Sequence, residues 1–141
     1  MSLFVDTSVW SLALRRNSPS SAPEVGELAR ALRGGETIVT TGLVLQELLQ
    51  GFAGPRAYEE ILARFSALPF VTPQRRHHIE AAQLRNACRR GGVQIGTIDA
   101  LLAQLCIHHD LTILTTDRDF QGIAMHSTLR LWGLRGSPQL S

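Results

Sequence analysis

Four acidic residues have the type and the setting for chemistry: Asp6, Glu47, Asp99 and Asp117. Asp6 directly follows the apolar triplet Leu3-Phe4-Val5 and precedes Thr7-Ser8, while Asp117 follows Leu111-Thr112-Ile113-Leu114 and Thr115-Thr116. Each stands where a short buried strand gives way to a helix, and open α/β sheets bind ligands at that carboxyl edge. Asp99 lies just inside the helix feeding the strand before Asp117. Glu47 lies within a helix, on the side of Val44 and Leu43. Taken singly, Asp6 or Asp117 can cap the following helix, and Asp99 can complement a helix dipole. Glu47 resists such a reading, because a buried carboxylate on an apolar helix side needs an arginine or a metal as partner. As a set, the acids say more. Two carboxylates ~4 Å apart repel by about 4 kcal/mol at an effective dielectric of about 20. Hard divalent cations with oxygen ligands, Mg²⁺ or Mn²⁺, hold such groups together. These ions position a phosphodiester, help ionise a water and stabilise a leaving oxygen. The shared sheet edge is the ground for expecting the acids to meet.

The elements that must position them alternate along the chain. Leu3-Phe4-Val5 is a strand, and Thr7 to about Arg16 is a helix with Val9, Trp10, Ala13 and Leu14 on its apolar side. Asn17-Ser18-Pro19-Ser20-Ser21 is a loop, and Pro23 suits the first turn of a helix through Leu28, Ala31 and Leu32 that closes at Gly34-Gly35. Thr37-Ile38-Val39-Thr40 is a second strand, and Thr41 is placed to cap the helix Gly42 to Gln50. Pro55 to Leu68 is helical, with Tyr58, Ile61, Leu62 and Phe65 on the buried stripe, before a short strand Pro69-Phe70-Val71. Arg75 to Arg90 is a weakly amphipathic helix with Ile79, Ala82, Gln83 and Asn86 along one side. Thr97 caps Ile98 to His109, whose core stripe is Ile98, Leu101, Leu102, Leu105 and Cys106. Asp117 to about Ile123 is a short helix, and Leu129-Arg130-Leu131-Trp132 is a last strand. Strands alternating with helices imply an α/β fold: a mainly parallel central sheet of about five strands, flanked by helices on both faces. One domain over 1–133 and a loose tail over 134–141 are expected, with no repeat or linker between.

Composition removes several function classes. A chain with 44% hydrophobic and 18% charged residues is ordinary for a folded domain, and no apolar run approaches the ~18 residues of a spanning helix. The start of the sequence lacks a basic region and an apolar run of the secretory kind, which points to the cytoplasm. Cys88 and Cys106 fall in helices and outside any metal or redox spacing, so buried free thiols are expected. All fourteen basic residues are arginine. Biased codon usage explains that as well as function does. Arginine forks also suit phosphate oxygens, and Arg15-Arg16, Arg75-Arg76 and Arg89-Arg90 can border a nucleic-acid groove or be solvated helix faces. Lysine's absence excludes a phosphate-binding Gly-Lys-Ser/Thr loop. The adjacent pairs His77-His78 and His108-His109 would point about 100° apart on a helix. They and His126 are therefore expected in surface or helix-end roles, and Trp10 in the core rather than under a base.

The segments Asp6-Thr7-Ser8-Val9-Trp10, Leu45-Gln46-Glu47-Leu48, Asp99-Ala100-Leu101-Leu102-Ala103 and Thr115-Thr116-Asp117-Arg118-Asp119-Phe120 resemble the PIN-domain ribonucleases. In size and motif order the whole chain is similar to the VapC-type toxins of bacterial toxin–antitoxin pairs. That resemblance implies a single PIN-like domain and Mg²⁺- or Mn²⁺-dependent cleavage of RNA. It also implies a homodimer, and a cognate antitoxin protein whose tail enters the acidic pocket. It maps Asp6, Glu47, Asp99 and Asp117 onto the acidic quartet, Ser8 and Thr115 onto supporting polar positions, and Asp119 onto a frequent extra acid that ligates indirectly or orients Arg118. In the resulting mechanism Asp6, Asp99 and Asp117 hold the ion, and Glu47 completes the shell or assists proton transfer. Two rivals stand beside this. A phosphoaspartyl enzyme or receiver domain would use Asp6, but Ser8 replaces the second acid of the phosphatase pattern and both families lean on a lysine. A non-catalytic RNA- or protein-binding module could keep the fold, but gains nothing from a negative pocket.

Overall fold

The triplet Leu3-Phe4-Val5 is the centre of the molecule, and all three side chains are fully buried. Successive residues of a strand point to opposite faces. Burial of consecutive residues therefore requires cover on both sides of the sheet, as parallel sheets have. The computed structural model describes residues 2–15 and 19–133. In chain order the elements are β1 (Ser2–Val5), α1 (Thr7–Leu14), α2 (Pro23–Leu32), β2 (Thr37–Val39), α3 (Gly42–Gly51), α4 (Pro55–Phe65), α5 (Arg75–Arg90), α6 (Thr97–His108), β3 (Thr112–Leu114), α7 (Asp119–Met125) and β4 (Arg130–Leu131). The strands run in the order β2-β1-β3-β4, and every pairing is parallel. In register, Leu3 faces Ile38 on one side and Thr112 on the other, and Phe4 faces Val39 and Ile113. Helices pack in two runs, α1 with α2 and α3 and then α3 with α4, and α5 with α6 and then α6 with α7.

The expected fifth strand, Pro69-Phe70-Val71, is reduced to a single parallel bridge between Thr40 and Phe70 at the edge beyond β2. Pro69 has no N–H to donate, so the ladder there consists of Thr40 N–H to Pro69 O and Val71 N–H to Thr40 O, at 3.0 and 2.9 Å. Several stripe members also sit at the margin. Ala13, Tyr58, Leu62 and Ile98 are exposed, although their neighbours Trp10, Ile61, Phe65 and Leu101 are buried. Helix α5 turns the opposite side inward. His77, Ala81, Leu84 and Cys88 face the core, and Ile79 is 53% exposed. The small residue Ala81 lets α5 lie close on α6, whereas Ile79 stays exposed among the described residues. Both cysteines are buried free thiols. Arg16 and the first two residues of the Asn17–Ser21 loop, like the 134–141 tail, lie outside the described residues. Among the described residues no helix is long and apolar enough to cross a membrane.

Candidate active site

β1 and β3 are neighbours running the same way, so Asp6 and the 115–117 segment leave the sheet side by side. Asp6 N–H donates to Leu114 O at 2.9 Å, which locks the two strand ends together. Asp6 occupies the N-cap position of α1 but makes no side-chain cap bond. Its Oδ2 instead accepts from Ser8 Oγ and from Thr115 Oγ1, each at 2.8 Å. The same hydroxyls hold the facing backbone, because Thr116 N–H donates to Ser8 Oγ and Asp117 N–H to Thr115 Oγ1, at 3.1 and 3.0 Å. A buried carboxylate, two hydroxyls and two amides thus form one network across the strand ends, and the capping explanation for Asp6 fails.

Asp99 stands in the first turn of α6 and approaches the same edge from the side. One carboxylate oxygen from each of Asp99, Asp117 and Asp119 lies within 4.8 Å of the others. Burial pushes the Asp99 carboxyl up to about 6, and the charges of Asp117, Asp6, Asp119 and Glu47 add to the effect. All five acids therefore sense one another at Asp99. Asp117 Oδ1 also accepts from Asp119 N–H at 2.9 Å, a turn bond that engages one oxygen only, while the N-cap of α7 is Arg118 rather than Asp117. Glu47, half-buried, accepts from Thr7 Oγ1 at 2.6 Å. Among the described residues no basic side chain pairs with any of the five acids.

The structure thus brings Asp6, Glu47, Asp99 and Asp117 to one cup, as the sequence led one to expect. It changes the composition of the closest set, in which Asp119 joins Asp99 and Asp117, while Asp6 lies behind them, tied to hydroxyls. Thr7, which holds Glu47, is a positioning contact that sequence reasoning missed. Its signal was its place immediately after the strand-end acid. Arg118 lines a polar hollow beside Asp117. His78, His108, His109 and His126 are exposed, as expected of surface or helix-end residues, and His77 departs from that expectation. His77 is buried, and the His108 and His109 rings lie 4.7 Å apart rather than splayed. His109 is the C-cap of α6, already off the helical path, and His77 packs against both rings. The donor set at the acids suits a hard divalent cation: oxygen ligands only, clustered, and mutually repelling without one.

The family model for the PIN domain matches residues 3–125. Ribonuclease VapC13 of Mycobacterium tuberculosis is 30% identical over 123 residues, covering 84% of this chain and 92% of that protein. A VapC ribonuclease of Mycobacterium bovis matches to the same extent. Among solved structures, VapBC2 of Rickettsia felis, bound to a DNA fragment from its promoter, is similar with a TM-score of 0.69 and 21% identity over 93% of this chain and 97% of that one. VapC20 of Mycobacterium tuberculosis, a toxin that cleaves the sarcin–ricin loop, is similar with a TM-score of 0.64 and 19% identity over 91% and 98% of the two chains. At those identities the structural likeness is one of fold.

Proposed function

The chain belongs to the PIN-domain family, and from that premise we propose that it is a divalent-metal-dependent endoribonuclease, the toxin of a toxin–antitoxin pair acting in the cytoplasm. The observation that carries this reading is the cup of five carboxylates without a basic partner among the described residues, three of them with oxygens within 4.8 Å. Asp99, Asp117 and Asp119 would hold Mg²⁺ or Mn²⁺, with the charge of Asp6, whose Oδ1 carries neither of the hydroxyl bonds, close by. Bound there, such an ion supplies Lewis acidity to the phosphodiester and ionises water at neutral pH. Ser8 and Thr115 fix the rotamer of Asp6, and Thr7 fixes that of Glu47, so neither carboxylate has to reorganise during the reaction. Glu47, less buried than Asp6, would take or return a proton. The exposed Arg118, next to Asp117, meets the RNA at the mouth of the cup.

The relatives named ribonuclease and the fold neighbours solved as toxin–antitoxin complexes support an RNA substrate and a small antitoxin partner. The protein works as a homodimer, with the antitoxin presenting cationic side chains to the cup. Purified protein should cut single-stranded RNA in Mg²⁺ or Mn²⁺ and stop on chelation, and expression should arrest growth unless the neighbouring antitoxin gene is co-expressed. RNA cutting undiminished by chelator, or by Asp99→Asn, would overturn the reading.

A further inference from the structure

Beside the acids the molecule opens into a hollow of about 340 Å³. Its lining includes Thr115 and Asp117, which also belong to the strand-end network, with Arg118, Gln121, Trp132 and, from the first turn of α2, Glu24. Asp117 belongs to this hollow and to the acid cluster at once, so whatever fills it lies against whatever the acids hold. We infer that the hollow is a specificity subsite that takes one unstacked guanine of single-stranded RNA, adjoining the phosphate at the acids; the inference rests on the ribonuclease reading above.

Size comes first. Small-molecule sites run from about 300 to 1,000 Å³, and this one lies at the lower end, fit for one flat ring system rather than a peptide helix. Chemistry comes second. Single-stranded RNA is read by splaying a base onto an aromatic side chain and hydrogen-bonding its edges. Trp132 supplies the aromatic surface, and its backbone N–H, bonded to Ile113 O at 2.9 Å, pins it to β3. Among the described residues the side chains of Glu24, Arg118 and Gln121 have no hydrogen-bond or ion-pair partner, so all three are free to bind. A carboxylate only accepts and a guanidinium only donates. Guanine alone among the four bases sets an N1–H and an N2 amino group side by side for Glu24, with O6 and N7 on its other edge for Arg118. Adenine would turn the bare N1 lone pair toward Glu24 and leave that contact repulsive.

The test uses matched ribo-oligonucleotides carrying one guanine, adenine or inosine at each position around the cut, with wild-type protein and Glu24→Gln. Cleavage is read in Mn²⁺, and binding by fluorescence anisotropy in Ca²⁺. Inosine lacks the 2-amino group, so at one position it should cost the wild type roughly tenfold, the worth of a hydrogen bond to a charged group. Glu24→Gln should erase most of that difference, and Trp132→Leu should weaken binding of the guanine oligonucleotide in particular. Cleavage without base preference, or a preference that Glu24→Gln leaves intact, overturns the subsite and spares the nuclease. No cleavage of any oligonucleotide sinks the nuclease reading instead, and the binding series in Ca²⁺ then still decides the subsite.

Discussion

Helix α6 carries a cluster of metal-capable side chains near each end, and the two are built differently. At its first turn Asp99 meets Asp117 and Asp119; at its last, His108 and the C-cap His109 meet His77 of α5. In both clusters three potential ligand atoms lie within 4.8 Å of one another. What separates them is the state of their lone pairs. His77 Nδ1 accepts Gln74 N–H at 2.8 Å, and His108 Nδ1 accepts from the Arg76 guanidinium at 2.8 Å. A neutral imidazole accepting at one nitrogen holds its proton on the other. Metal-ligating histidines do the reverse, donating from the second nitrogen to a partner. The acids, by contrast, have acceptor oxygens to spare and a mutual repulsion that only positive charge relieves. Proximity of ligand types is thus a weak signal, and free acceptor capacity is the stronger one. The histidine end closes the α5–α6 pair, and the proposed chemistry belongs to the acid end.

The comparison can be broken most forcefully by charge removal. Asp99→Asn and Asp117→Asn should each cut RNA cleavage by more than roughly a hundredfold, since even the outer partners of ligands are worth 10–100-fold. His108→Ala and His109→Ala should leave cleavage within about twofold. Equal losses at the two ends, in a steady-state assay at saturating Mn²⁺, would erase the distinction drawn here.

Next in size are the groups that only hold the acids. Thr115→Val removes a bond to Asp6 and the acceptor for Asp117 N–H, and Thr7→Val removes the bond to Glu47. Each should cost about 10- to 100-fold in cleavage at low Mn²⁺, with the larger loss at Thr115. Part of the Thr115→Val loss should return as Mn²⁺ is raised.

The two ends should also respond to pH with opposite slopes. Asp99 has a folded-state pKa of about 6, above its unfolded value near 4, so the folded metal-free protein binds more protons in that window. Its contribution to stability is present at low pH and is lost as pH rises through about 6. His77 and His109 are held below their ordinary value, by burial first and then by neighbouring cationic groups. Their contribution is present above the unfolded value of about 6.5 and is lost as pH falls below it. Thermal unfolding of the metal-free protein should therefore show Asp99→Asn gaining stability over wild type at pH 7 but not at pH 4. His77→Phe should narrow the loss on acidification. Wild type and Asp99→Asn keeping a constant offset across pH would contradict the placement of Asp99. The smallest effect is at the turn joining the histidine end to β3. There Arg130 Nη1 meets Asp110 Oδ1 at 2.7 Å, with side chains 55% and 83% exposed. Arg130→Ala should change stability by less than about 1 kcal/mol by denaturant titration.

Much of this was legible in the sequence because strand-end position is itself geometric information. Parallel neighbours must bring Asp6 and Asp117 to one edge, and Glu47 on an apolar helix side asked for a partner. What was not legible depends on a few ångströms. Periodicity cannot say whether Asp119, two residues past Asp117, turns back into the cluster, nor that Asp6 settles behind it on two hydroxyls. Nor does it say which stripe members sit at the margin, as Tyr58, Leu62 and Ile98 do, or that the inward face of α5 is the one with His77 and Ala81. The Pro69 strand shrank for a reason visible beforehand, its missing N–H, which pairing propensity alone does not weigh.

The most direct measurement is the anomalous scattering of Mn²⁺ in a crystal grown with the ion. A metal site at the acids requires density among the carboxylates of Asp99, Asp117 and Asp119, absent from Asp99→Asn crystals. Density at His77, His108 and His109 instead, or an arginine seated in the acid cup with no ion present, would contradict it.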